Sequence, residues 1–456
     1  MLIAAVLILL SFAVGGASRA DVLSQLPMRV GAIVIGAAAL LTMTSGAIRP
    51  VRPILLLLAA FAGVQVLQLV PLPPTLWTSL PGREIFARTA TVAGVAQPWH
   101  PITLIPDATM NSALALLPGF AALLALAVVR SRDWWLVIAV FLVMAIVSGI
   151  IGLIQISSDS LYFYSITNRG SAVGIFANRN HQAALLAATI PALAVVAAVA
   201  PVKLKAGARH LTIGLVALFL LPLLLVTGSR AGLVLALVGI GGAIVLAQQW
   251  QRAHPEPAAP PRRRPARFGS PKLWLVLGAI VVIGIVTLTI VFSKGLAVQR
   301  LFSQDVEADA RILLFLPMSR IAGSFFPFGA GFGTFDTVFK VFEPDWRLGP
   351  SYFNHAHNDL MEVLIEGGLA SVLLIAAFLA WWVRAAFMLW RVKPVSSGVL
   401  IGRLGTVQSA ILMLASVSDY PLRTPLGQVL FVFACGFMAA ALYRRAHHPN
   451  EAAAEA

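Results

Sequence analysis

The chain reads as an all-α, polytopic membrane protein of about twelve spans, and three observations lead there. Hydrophobic residues fill 59% of the 456 positions and charged residues only 11%, more apolar surface than one soluble core buries. Runs long enough to cross a bilayer core of about 30 Å, which takes roughly 20 helical residues, recur along the whole chain. Basic residues gather in alternate connections, as they do on the cytoplasmic side of membrane proteins. A β-barrel would instead show alternation over about ten residues per strand.

The predicted spans run near 2–17, 29–47, 53–70, 111–129, 134–156, 181–200, 211–227, 230–248, 273–292, 360–390, 399–417 and 425–443. Each must be a helix, because lipid offers the backbone no hydrogen-bond partner. The first ends in Ala17-Ser18-Arg19-Ala20, as a signal peptide would, but it lacks a basic start and is expected to remain as a span. With both termini in the cytoplasm, the inside segments hold more than half of the 33 Lys and Arg. They contain only four acids, Asp133, Glu256, Glu451 and Glu455, and so carry the entire net charge of +15. That charge is positive-inside anchoring to anionic lipid rather than a nucleic-acid surface.

The whole chain is expected to form one integral membrane domain. The connection 249–272 is basic, rich in Pro and Ala, and reads as a flexible cytoplasmic loop. Three outside segments are long, 71–110, 157–180 and 293–359. The last includes an amphipathic stretch near 305–323 suited to a short interfacial helix. Loops of this length usually carry function, so the active face is expected outside. The single Cys435 lies in the last span and offers neither an internal disulfide nor a cysteine metal site.

The chemistry concentrates in Asn354-His355-Ala356-His357-Asn358-Asp359, just ahead of a hydrophobic helix. Asp359 with Glu362 has the spacing of an N-cap followed by an acid in the first turn. The positive end of the helix dipole then favours a neutral His357 able to accept a proton. Glu362 and Glu366 share a helix face with Asp359, where they complement the dipole or orient a histidine or sugar hydroxyls. Three roles stand open for the histidines: interfacial bonding to backbone, a metal site with Asp359, or proton acceptance in group transfer. No further ligand cluster accompanies the second, and the third is carried forward.

Outside arginines supply the complementary charge. Arg230 occupies the tight turn Thr227-Gly228-Ser229-Arg230-Ala231-Gly232, where it is either a snorkelling anchor or a fork for phosphate oxygens. Arg169, Arg179 and Arg311 are further candidates to converge on one anion. The glycine-rich Phe328-Gly329-Ala330-Gly331-Phe332-Gly333 follows no strand and so is not a dinucleotide fingerprint. It reads as a tight, flexible turn of the outer loop.

Four of these segments, in order, resemble the O-antigen ligase superfamily of ligases, polymerases and protein O-oligosaccharyltransferases. They are Gly174-x-Phe176-x-Asn178-x-Asn180, Ser229-Arg230-Ala231-Gly232, Arg311 with Pro327-Phe328-Gly329-x-Gly331-x-Gly333, and His355-x-His357-Asn358 with Glu366-Gly367-Gly368. The resemblance covers about residues 130–430. It implies a GT-C-like helical fold in the bacterial inner membrane with a long periplasmic loop carrying short helices. It also implies metal-independent, inverting transfer of a glycan from undecaprenyl pyrophosphate, without a cofactor. The implied acceptor is lipid A-core or another glycan, reached at the periplasmic face among the membrane lipids.

By the same resemblance His357 is the catalytic histidine, and Arg230 and Arg311 hold the pyrophosphate. Arg179 and Arg169 are weaker candidates for that anion, and His355 and Asn358 support the site. Relatives often carry a tryptophan shortly after the loop arginine, where this chain has Phe315. A ligase acting on a lipid A-core-type acceptor is the leading expectation. A polymerase or protein glycosyltransferase is the alternative within the superfamily, and a polyprenyl-glycan transporter is the alternative from another class.

Overall fold

The computed structural model describes residues 1–201, 220–255, 306–349 and 353–448. Among them, nine helical stretches are long and apolar enough to cross a membrane, and each falls on a predicted span. The predicted spans near 211–227 and 273–292 lie partly or wholly outside the described residues, as does most of the basic connection 249–272. The helices used below are α1 (Leu2–Val14), α2 (Gln25–Thr42), α3 (Arg52–Gln68), α4 (Pro106–Leu114), α5 (Leu117–Ala127), α6 (Trp134–Ser158) and α7 (Arg179–Val199). They continue with α8 (Arg230–Ala253), α9 (Val306–Phe325), α10 (Phe335–Phe342), α11 (Asp359–Arg391), α12 (Ser397–Ser418) and α13 (Pro425–His447).

The first span is shorter than its apolar run, because α1 stops after 13 residues at Gly15. Gly16 then lies against another stretch of backbone, where an added Cβ would sit 2.1 Å from the Ile175 carbonyl oxygen. This contact turns the chain toward the loop that precedes α7 and delivers Ser18 to the site described below.

Small residues set the centre of the bundle, as expected where helices associate in lipid by close packing rather than by hydrophobicity. Gly232 meets Ala183, and Gly239 meets the Ala187 carbonyl. Both partners advance along the sequence together, so α7 and α8 run parallel with their N-termini side by side. α12 runs opposite to both: its Gln408 amide donates to the Ala188 carbonyl, its Arg403 reaches Gln249 near the far end of α8, and Asp419 at its own end meets Asn178. The ends 178–180, 229–230 and 419, all expected on one side of the membrane, are thereby gathered together.

A second apolar cluster lies apart from the bundle core and joins Leu314, Met318, Ile321 and Phe325 of α9 to Phe335 and Phe339 of α10 and to Ile365 of α11. The buried positions of α9 recur every three or four residues, so the expected amphipathic segment is a helix that lies on the site's own scaffold. Arg83, 1% exposed, ties this layer to the outer loop. Its guanidinium donates to the Ile102 and Gly329 carbonyls and stacks on Phe325.

The glycine-rich turn is tight, with the positive φ and close packing expected of its glycines, but it is clamped where flexibility was expected. Gly329, Gly331 and Gly333 have φ of 77°, 109° and 78°, values that L side chains rarely adopt. Ala330 and Gly331 donate to the carbonyls of Ile365 and Glu366, and Leu369 donates to that of Pro327, all at 2.8–2.9 Å. A Cβ on Gly329 would lie 2.3 Å from the Glu366 carbonyl oxygen, and one on Gly368 would lie 2.2 Å from that of Pro327. Gly368 itself has φ 55° and breaks α11 into two helical segments.

Candidate active site

The start of α11 builds the first part of the site. Its N-cap is Asn358, whose side chain accepts from the Met361 amide at 3.0 Å, so Asp359 is the first helical residue rather than the cap. Placing the cap one residue earlier leaves Glu362 free for another task. Its carboxylate accepts from the Ala356 amide and from His355 Nδ1, both at 2.8 Å. His355 Nε2 meets the Ser18 hydroxyl at 3.1 Å, and with Nδ1–H donating to Glu362 that nitrogen is the acceptor. His357 has φ 50°, a left-handed conformation that costs a non-glycine residue about 1–3 kcal/mol and persists only where neighbours enforce it. The Asn358 cap and the Ala356–Glu362 bond do so on either side.

The acids on the inner face of α11 converge on Arg423, which follows α12 in the turn 419–424. Its guanidinium lies 3.1 Å from Glu362, 3.0 Å from Glu366 and 3.4 Å from Asp359. Burial alone would loosen the proton on Arg423, but the three carboxylates raise its pKa instead. Glu366 also accepts from the Gly333 and Phe335 amides, so one carboxylate joins the glycine turn, α10 and the arginine. These acids therefore hold the architecture in place. Their contacts are to Arg423, His355 and backbone.

His357 has its own carboxylate. Nδ1 lies 3.3 Å from Asp419 Oδ1, and His181 Nε2 reaches the same oxygen at 3.5 Å. Asn178 and Asn180 donate their side-chain amides to Asp419, and the Tyr420 amide donates to Oδ1. Burial pushes the Asp419 carboxyl up, but the neighbouring His181 and His357 outweigh it and hold the group well below its ordinary 3.8. Its stabilising contribution is thus present above the unfolded-state value and lost only as pH falls through the lower native one. Asp419 stays charged throughout the range in which histidines titrate. An imidazole with its Nδ1–H toward this carboxylate leaves Nε2 available to accept a proton. Asp419→Asn is expected to slow a transfer step that uses His357 about 10²–10³-fold and, by removing the charge behind that contribution, to lower the thermal unfolding midpoint at neutral pH as well, both measured on the reconstituted protein.

Tyr420 packs among all three histidines, with ring centroids 4.2 Å from His355, 4.9 Å from His181 and 5.0 Å from His357. No three metal-ligating side chains among the described residues are grouped to hold an ion.

The arginines sort by position. Arg179 and Arg230 are each the first residue of a helix, behind caps in which Asn178 accepts from the Asn180 amide and Ser229 from the Gly232 amide. Because α7 and α8 are parallel and packed at this end, two helix N-termini lie side by side; Arg179 lines one cavity of the site and Arg230 is exposed at the head of its helix. That arrangement favours an anion. Arg169 is exposed and stacks over Tyr162 at 5.7 Å, in the loop whose Asn168 accepts from the Arg179 amide. Arg311 belongs to α9, but its side chain is outside the described residues.

Two cavities flank the histidines. One, of about 640 Å³, is lined by Arg179, Asn180, His181, His357, Tyr420 and the Ser18–Asp21 stretch. The other, of about 990 Å³, has His355, Asp359 and Arg423 in its wall and continues along the apolar side chains Leu57, Phe61, Phe378 and Phe431. Asp419, Tyr420, Arg423, His181 and Ser18 were not singled out from sequence. The available signal for the first three was a charged turn between two long apolar runs, since ionisable groups at such boundaries are costly and tend to be functional.

Residues 213–376, from the approach to Arg230 through α9 and the histidine motif into α11, match the family model described as O-antigen ligase. No curated protein matches the chain. The matched region contains Arg230, Arg311, the glycine turn, His355 and His357, while Asp419, Arg423 and the α7 cap complete the site from outside it. With multiple apolar helices around this region, the chain is a multi-pass membrane protein in which residues 213–376 are similar to the O-antigen ligase family.

Proposed function

We propose that the protein transfers a glycan from undecaprenyl pyrophosphate to a hydroxyl of a lipid A-core-type acceptor, at the periplasmic face of the inner membrane. The observation that carries this reading is the imidazole of His357 on the charged, buried Asp419, beside an edge where Arg179 and Arg230 head two parallel helices. The acceptor hydroxyl oxygen attacks the anomeric carbon as its proton passes to His357 Nε2. The bond from that carbon to the diphosphate oxygen breaks, which inverts the anomeric configuration. The developing charge on the diphosphate is met by Arg230 and Arg179, with Arg311 and Arg169 as further ligands. Donors placed in advance where charge develops supply much of such a rate enhancement. The diphosphate is already a leaving group, so neither a nucleotide nor a metal is needed for the step. The apolar cavity beside His355 gives a polyprenyl or acyl chain a place to remain among helices while its head group reacts.

The test is transfer from purified lipid-linked donor to candidate acceptors in proteoliposomes without an ion gradient, with mass spectrometry of the product and chelator added in parallel. A glycosylated lipid A-core product, undiminished by chelator, is expected. Extension of the donor's own glycan would indicate a polymerase, and a glycosylated polypeptide would indicate a protein glycosyltransferase. Gradient-dependent movement of donor with no new bond would replace the enzymatic reading by a transporter.

A further inference from the structure

His181 lies outside the histidine motif and is 3% exposed. Neither of its ring nitrogens has a hydrogen-bond partner among the described residues, although a buried polar group without one is costly. The nearest acceptor is Asp419 Oδ1, 3.5 Å from Nε2, which is the same oxygen that faces His357 Nδ1 at 3.3 Å. Phe176 and Tyr420 hold the His181 ring edge to face at centroid distances of 5.9 and 4.9 Å. The ring is therefore fixed with its Nε2 edge toward the carboxylate.

We propose that His181 is a positioning residue for the transfer step, acting through Asp419 to limit how strongly that carboxylate holds the protonated form of His357. This rests on the assignment of His357 as the base. A base must release its proton before the next turnover, and the more of the Asp419 charge its amide donors leave to one imidazole, the more tightly that imidazole keeps it. His181 shares the oxygen, so part of the negative charge is satisfied elsewhere. The sign is the same for either state of His181: a neutral N–H dipole and an imidazolium both oppose charge on His357. The other titratable groups near His357 are Tyr420 at ring contact, His355 packed on the same Tyr420, and Arg19, Asp21 and Arg179 in the walls of the same cavity. The cluster of Arg423 with Glu362, Glu366 and Asp359 is reached through His355. Tyr420 and Asp359 also face His181; the rest are unchanged in a His181 variant.

Two readouts test the proposal. The first is the acid limb of the pH dependence of transfer. The second is the pH midpoint for carbethoxylation of His357 by diethyl pyrocarbonate, read peptide by peptide in the mass spectrometer, which needs no transfer activity. His181→Phe is expected to move both upward by about half to one pH unit. His181→Gln, which restores an N–H toward Asp419, is expected to return them close to the native position. Should the Phe protein fail to accumulate, His181→Leu gives the same comparison. A midpoint at His357 that is identical in native, donor-less and Gln proteins overturns the proposal, even if all variants are slow. An intact shift in carbethoxylation without any glycan transfer overturns the enzymatic reading and leaves the coupling standing.

Discussion

His357→Ala is expected to abolish measurable transfer, a loss of at least about 10³-fold, while the protein still inserts, purifies and unfolds as the native form does. The asymmetry follows from what the side chain touches. His357 makes no hydrogen bond that holds the fold, and its Nδ1 closes none with Asp419. The structural duties at the start of α11 belong to Asn358 and Glu362. Removing the imidazole takes away the only proton acceptor the proposed step requires, and general-base contributions are worth about 10²–10⁴-fold. Alanine keeps both the Cβ and the strained φ at position 357, so what the variant loses is the packing against Tyr420 and Phe353. Single-turnover transfer in proteoliposomes, with thermal unfolding of the same preparation, checks both halves. Full activity in the variant would remove His357 from the mechanism.

Arg423→Met is expected to act the other way, on the fold first and on activity as a consequence. It would leave Glu362, Glu366 and Asp359 without the cation that lies within 3.0–3.4 Å of all three. Removing one partner from a buried charge network typically costs about 3–5 kcal/mol, because the remaining charges stay desolvated. The damage spreads along defined connections, since Glu362 orients His355 and Glu366 fastens the glycine turn and the start of α10. Loss of a cooperative unfolding transition in detergent is the measurement. Pairing Arg423→Met with Glu366→Gln is expected to recover part of the loss by removing one uncompensated charge, so the double variant separates charge imbalance from lost packing.

The spans were legible because a bilayer writes its requirement directly into composition: twenty apolar residues mean one helix almost regardless of their identity. The exception, α1, shows the limit, because Gly15 and Gly16 look like part of an apolar run, and only the Ile175 backbone explains why the helix stops there. The histidine motif was legible because polar residues stood out against apolar flanks. Asp419 and Arg423 stood out less, in a turn of six residues with no motif around them, and their partners are more than 50 residues away in sequence. Pairing of Arg179 with Arg230 depends on α7 and α8 being parallel neighbours, which spacing along a chain does not encode. The clamped glycine turn was misread as flexible for a similar reason. Glycine permits both looseness and close approach, and the facing backbone at 365–369 decides between them.

The break in α11 at Gly368 also separates two mechanical roles. Its 33 residues exceed what a bilayer core needs, but the segment after Gly368 is about one span long. A membrane of different thickness is accommodated by tilting a helix. Here the tilt has a fixed point, because main-chain hydrogen bonds tie Ile365, Glu366 and Leu369, on both sides of Gly368, to 327–331 and leave the helix beyond Leu369 outside that clamp. Changes in lipid chain length can thus be absorbed in the lower part of α11 while the histidines and acids keep their spacing. A chemical site at a membrane boundary needs that insulation if it is to work in a bilayer whose composition varies.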